Sequence, residues 1–165
     1  MDAAAAFDRA RLLTATGRVS EAVPLLAEIL ENDPAHLGAL ILRASLHAED
    51  RQWEEALALR ERAAHLWPRS AEALNALARA FHALGRDEEA LACAQKARAL
   101  LGEGDNFVQT AAVYLTLVWC LRELRRFREA IAVAEEGLQR MPDAVLAQWA
   151  TQIEEEMVAA ERERC

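Results

Sequence analysis

A Glu-Ala pair marks the phase of this chain. It occurs at Glu21-Ala22, Glu55-Ala56, Glu89-Ala90 and Glu129-Ala130. The first two steps between marker alanines are equal, at a period of about 34 residues, and the third is six longer. The prolines keep the same phase. Pro34 and Pro68 are separated by the same step as Ala22 and Ala56, and Pro142 stands as far beyond Ala130 as Pro34 beyond Ala22. Gly102, another helix stopper, fills that slot in the third unit. A period of this length means repeated supersecondary units. None of them buries its apolar face alone, so they must stack.

Composition says what the units are made of. Alanine, leucine, glutamate and arginine dominate, all good helix formers, and aromatic residues are only 5% of the chain. The β-branched residues are too few for an all-β chain, so an all-α class follows. Each unit reads as two helices. The first carries a small residue at Ala10, Ala44, Ala78 and Val118, and a larger one three positions on at Leu13, His47, Phe81 and Leu121. Small side chains there let two helices cross closely. A turn follows, with Gly17 and Gly85 in two units, where a helix end calls for positive φ. Arg51 and Arg125 replace glycine in the other two, and those turns are expected to close differently.

The pattern predicts helices over 3–16, 20–32, 37–50, 53–66, 71–84, 87–101, 107–124 and 127–140. A ninth, over 143–163, has an apolar stripe of Leu146, Trp149, Ile153 and Met157 on an otherwise polar helix. Such a helix covers the face that a last repeat would expose. The extra residues of the long third interval fall in "GEGDNFVQ" (102–109). They predict a longer loop, an N-cap at Asp105 or Asn106, and about one added turn on the seventh helix. Phe107 is expected to reach over the neighbouring repeat.

Period, phase, small-residue slots and terminal proline together resemble the tetratricopeptide repeat (TPR) family. The resemblance covers residues 3–142. It departs from the usual pattern where Ala6, Leu40, Leu74 and Tyr114 stand at the customary tryptophan slot. It implies an all-α, right-handed α-solenoid of four TPR-like helix–turn–helix repeats plus a C-terminal capping helix. The expected organisation is a single TPR domain over 1–165. Its repeats cover about 3–36, 37–70, 71–104 and 111–144, with an extension at 102–110 and the cap at 143–163.

Several function classes are disfavoured. The net charge is −8, whereas a nucleic-acid binder needs a basic surface. The one basic cluster, Arg125–Arg128, alternates with Glu123 and Glu129 and reads as a solvated turn. Asp2 and Asp8 lie where a signal peptide would need basic and apolar runs. The most apolar stretch, 111–121, is too short to span a bilayer. A cytoplasmic location is the expectation. Cys93, Cys120 and Cys165 do not form a disulfide framework, and Cys165 is expected to oxidise to a dimer in air.

No phosphate loop, nucleophile elbow or H-E-x-x-H is present, so no catalytic residue and no cofactor are expected. His36, His47, His65 and His82 have no histidine or cysteine at i+3 or i+4, and no metal site is expected. His47 reads as a packing histidine, and Cys93 and Cys120 as small hydrophobes.

The resemblance implies a concave face lined by the first helix of each repeat. Transferred by phase, its partner-binding residues are Phe7 and Arg11 in repeat one and Ile41, Ser45 and Glu49 in repeat two. Asn75, Arg79 and His82 follow in repeat three, and Leu115, Trp119 and Arg122 in repeat four. Arginines interleaved with large apolar groups suit an amphipathic partner bearing carboxylates, and arginine and tryptophan are common anchors of binding energy. Two packing alternatives stand beside this: Arg79 paired with Glu49, and Trp119 covered by the long loop. TPR proteins that clamp a chaperone's C-terminal carboxylate need cations at slots that here are Phe7, Arg11, Leu42, Glu72 and Ala76, so that subfunction is rejected. The expected function is a non-enzymatic scaffold binding a peptide or helix of another protein, as a monomer or weak homodimer. The alternatives are a self-associating assembly module and a chaperone-like adaptor for a secretion or membrane complex.

Overall fold

A computed structural model describes residues 3–102, 106–140 and 142–162. Residues 103–105 of the expected loop, and Cys165 with its expected disulfide, lie outside the described residues. All regular structure among the described residues is α-helical. In order the helices are α1 Ala3–Ala15, α2 Val19–Asn32, α3 Leu37–Glu49, α4 Trp53–Leu66, α5 Ala71–Ala83, α6 Asp87–Ala99, α7 Phe107–Glu123, α8 Phe127–Arg140 and α9 Ala144–Arg162. The expected boundaries hold to within one or two residues. α7 has 17 residues against 13 for α5, which is the added turn. Phe107, expected over the neighbouring repeat, is half exposed at its start.

Helix starts follow a rule that depends on their place in the repeat. After the terminal proline or the 102–106 link, a side chain caps the next helix. The backbone N–H of Ala39 donates to His36 Nδ1, Ala73 to Ser70 Oγ, Val108 to Asn106 Oδ1 and Leu146 to Asp143 Oδ1. Each cap satisfies a donor the helix end would otherwise leave unpaired.

Within each hairpin the first helix ends in a Schellman turn. Its inner bonds run from Gly17 N–H to Thr14 O (3.0 Å), Arg51 to Ala48 (3.1 Å), Gly85 to His82 (2.9 Å) and Arg125 to Arg122 (2.9 Å). Its outer bonds run from Arg18 N–H to Leu13 O, Gln52 to His47, Arg86 to Phe81 and Arg126 to Leu121, at 2.8–2.9 Å. The expectation that the arginine turns close differently is corrected here. Arg51 (φ 60°) and Arg125 (φ 56°) enter the left-handed region beside Gly17 (76°) and Gly85 (70°). The paired hydrogen bonds impose the torsion whatever the residue.

Contacts gather the helices into two compact units, Met1–Pro68 and Arg69–Cys165. In the first, α1 pairs with α2 and α3 with α4. Ala10, Ala22, Leu26, Leu40, Ala44 and Ala63 are fully buried. α4 also ties down the α2–α3 link, through Arg62 Nη2 to Pro34 O (2.7 Å) and Trp67 Nε1 to Ala35 O (2.8 Å). In the second unit α5 pairs with α6 and α7 with α8, and α9 packs mainly on α8 and less on α7. Its core holds Tyr114, Leu117, Val118, Leu121, Leu146 and Ile153. All four marker alanines are at most 2% exposed, so the crossings demand small side chains there.

Candidate protein-interaction surface

In the first unit the expected residues lie on α1 and α3. Arg11 and Glu49 are exposed, and Phe7, Ile41 and Ser45 are half-buried. Phe7 packs on its neighbour: its ring lies 4.9 Å from that of His36 and covers Gly38, where a Cβ would collide with it. Ser45 turns its hydroxyl back to donate to Ile41 O (3.0 Å). Arg11 borders an open recess of about 500 Å³ lined by Asp8, Leu12, Thr14, Ala15 and Leu42. Its pairing with Asp8, at 3.7 Å with both side chains well exposed, is weak. Leu12, 65% exposed, adds an apolar wall.

In the second unit the expected residues lie on α5 and α7. Asn75 is buried, and its Oδ1 has no hydrogen-bond partner among the described residues. Arg79 is exposed, and His82, Leu115, Trp119 and Arg122 are half-buried. A ring stack runs from α5 through α7 to α9. His82 lies parallel to Trp119 at 6.2 Å, and Trp149 meets Trp119 edge-on at 6.3 Å. The cover over Trp119 is therefore α9. The Arg122 guanidinium sits 5.4 Å above the Trp149 ring. It also donates to both carboxylate oxygens of Glu156, Nε to Oε2 at 2.9 Å and Nη2 to Oε1 at 2.8 Å. Its Nη1 also donates to Glu123 Oε1 at 3.0 Å. Hydrogen bonding from Arg122 holds the Glu156 carboxyl below the ordinary glutamate range.

Sequence reasoning saw α9 as an amphipathic cover but not which of its residues touch the face. A signal was present. Glu156 stands one repeat period after Arg122, and Trp149 one period after Leu115, so α9 is in phase as a fifth first helix.

Reasoning by spacing also missed a cluster. One donor atom each from His82, Asp87 and Cys120 lie within 4.8 Å of one another. His82 Nδ1 is 2.6 Å from Asp87 Oδ1. Cys120 is fully buried, and burial pushes its thiol up to about 12. His47, read as a packing histidine, makes a similar contact to Gln52 Oε1 at 2.6 Å. The basic cluster forms its turn as expected: Arg126 binds Glu129 through two hydrogen bonds, and Arg125 lies 5.6 Å over Phe127.

Comparison with protein families finds two matches described as tetratricopeptide repeat, over residues 69–143 and 1–36. No curated protein matches. Among solved structures, one of PilF from Pseudomonas aeruginosa is similar at 19% identity and a TM-score of 0.80, covering 98% of this chain and 69% of that one. A crystal structure of the MamA protein is similar at 20% identity and a TM-score of 0.70, covering 93% and 81%. A tetratricopeptide repeat protein from Parabacteroides merdae is similar at 18% identity and a TM-score of 0.75, covering 98% and 61%. At these identities the likeness is one of fold alone.

Proposed function

Given that this chain belongs to the tetratricopeptide repeat family, we propose that it is a non-enzymatic scaffold whose first-helix faces hold a peptide or amphipathic helix of another protein. Proteins of this family bind other proteins. The observation that carries the reading is the recess beside Arg11. A cation with only a weak internal partner stands there next to exposed Leu12, in a recess lined also by Thr14, Ala15 and Leu42. In the second unit Arg79 offers another exposed cation. The partner chemistry that suits these groups is carboxylates alternating with apolar side chains. Preformed helices lose little ordering entropy on binding. No described helix is long and apolar enough to cross a membrane, and the proposed setting is the cytoplasm.

The test is capture of partners from the native lysate with the wild type and an Arg11→Glu/Arg79→Glu variant. Calorimetry then follows with the captured protein's own segment. The expected loss is on the order of tenfold in affinity, about 1.4 kcal/mol, at unchanged helical circular dichroism. Equal affinity of both proteins would remove the proposal. Light scattering across a dilution series, under reductant, distinguishes the assembly alternative: a stable dimer favours self-association.

A further inference from the structure

We propose that His82, Asp87 and Cys120 form a binding site for Zn²⁺ inside the second unit. This does not depend on the interaction-surface reading. The three donors come from the last turn of α5, the first residue of α6 and the last turn of α7. Their ligand atoms already lie within 4.8 Å of one another. Zinc–ligand bonds of about 2.0–2.3 Å in tetrahedral geometry require donor separations of roughly 3.3–3.8 Å. The His82–Asp87 pair, now at 2.6 Å, would open by under ~1 Å, and Cys120 Sγ, at most 4.8 Å from either partner, would close by no more than about 1.5 Å, which side-chain torsions supply.

The donor set decides the metal class. One imidazole nitrogen, one carboxylate oxygen and one sulfur suit zinc, whereas calcium and magnesium take oxygen. Three protein ligands leave the fourth position for a water molecule, and the site has a mouth for it. The side chains of His82 and Asp87 are 29% and 17% exposed, while Cys120 closes the bottom at 0%. Trp119 lies beside the His82 ring, with the two planes 22° apart.

A turn clasp alone does not account for these residues. His47 makes the same contact, five positions along the chain, to the neutral amide of Gln52, so a carboxylate is not needed to close a hairpin this way. On binding, the Cys120 thiol releases its proton to solvent, the sulfur–metal bond forms, and the imidazole gives the metal a nitrogen that carries no proton.

The experiment titrates Co²⁺ into the full, reduced chain and then displaces it with Zn²⁺. One equivalent is expected to produce the sulfur-to-cobalt charge-transfer band and the ligand-field bands of tetrahedral cobalt, which Zn²⁺ bleaches. Cys120→Ala should abolish the charge-transfer band, and Cys93→Ala should keep it. His82→Ala and Asp87→Asn should each weaken binding at least about tenfold, since even outer-shell changes cost 10–100-fold. A wild type without the band overturns the proposal, as does a band that survives in Cys120→Ala. If Cys120→Ala does not fold, His82→Ala decides, with circular dichroism as the folding check. Weakened cobalt binding supports the site, and unchanged binding sinks it.

Discussion

Gly17, Arg51, Gly85 and Arg125 occupy one turn position in four hairpins and share a left-handed torsion. For arginine that torsion sets Cβ against the following carbonyl, at a cost of about 1–2 kcal/mol. Glycine removes the clash but adds about 0.4–1 kcal/mol of unfolded-state entropy. Arg51→Gly is therefore expected to stabilise the chain by about 0.5–1 kcal/mol, read as a raised urea midpoint at unchanged slope. Arg125→Gly should gain less, because it also loses the guanidinium contact over Phe127. The sequence shows glycine at two of the four positions and nothing at the others. A residue's identity reports φ only where nothing stronger fixes it. Here two hydrogen bonds per turn fix it.

The meeting of α7, α8 and α9 turns on Gly137, in the slot after its marker alanine that Ile29, Ala63 and Ala97 fill elsewhere. A Cβ there would sit 2.6 Å from Leu146 Cδ2 and 2.9 Å from Tyr114 Cγ. Both neighbours are fully buried, and Tyr114 is further held by its hydroxyl bond to Glu136 at 2.7 Å. Gly137→Ala gains about 1 kcal/mol of helix propensity, yet overpacking of about 1–3 kcal/mol should outweigh it. A lower thermal midpoint is the expected reading. The Arg122–Glu156 pair makes α9 sensitive to acid as well. The folded pKa of Glu156 lies below its unfolded value of about 4.3. Its stabilisation is complete above that value and is lost as pH falls through the folded one. With the pair partly exposed, that contribution is about 1 kcal/mol or less. Below pH ~4 the α9 amides should lose exchange protection ahead of those in α8, and Glu156→Gln should remove that pH dependence. The helix itself was legible from the stripe of Leu146 and Ile153, both fully buried. The contacts of Trp149 and Glu156 show only when the repeat period is carried on into α9, because the period within one helix does not contain them.

At the scale of the whole chain, what could be read early was whatever the period carries: helix number, ends and crossing alanines. What the spacing within a helix could not carry was a meeting of residues from different helices. His82, Asp87 and Cys120 show this, since no spacing within one helix brings them together. The same locality has a mechanical consequence. In a repeat chain each hairpin gains its stability from its own pairing and from its immediate neighbours. Here the principal contacts of α9 are with α8 and α7, and those of α4 with α3. A packing fault at Gly137 should therefore be felt mainly where its neighbours are. Native-state hydrogen exchange on Gly137→Ala is expected to show faster opening of α7, α8 and α9, with α1–α4 keeping wild-type protection, because local openings draw on local contacts. Uniform loss of protection from α1 to α9 would mean that the chain opens as a single cooperative block, and the nearest-neighbour account would not describe it.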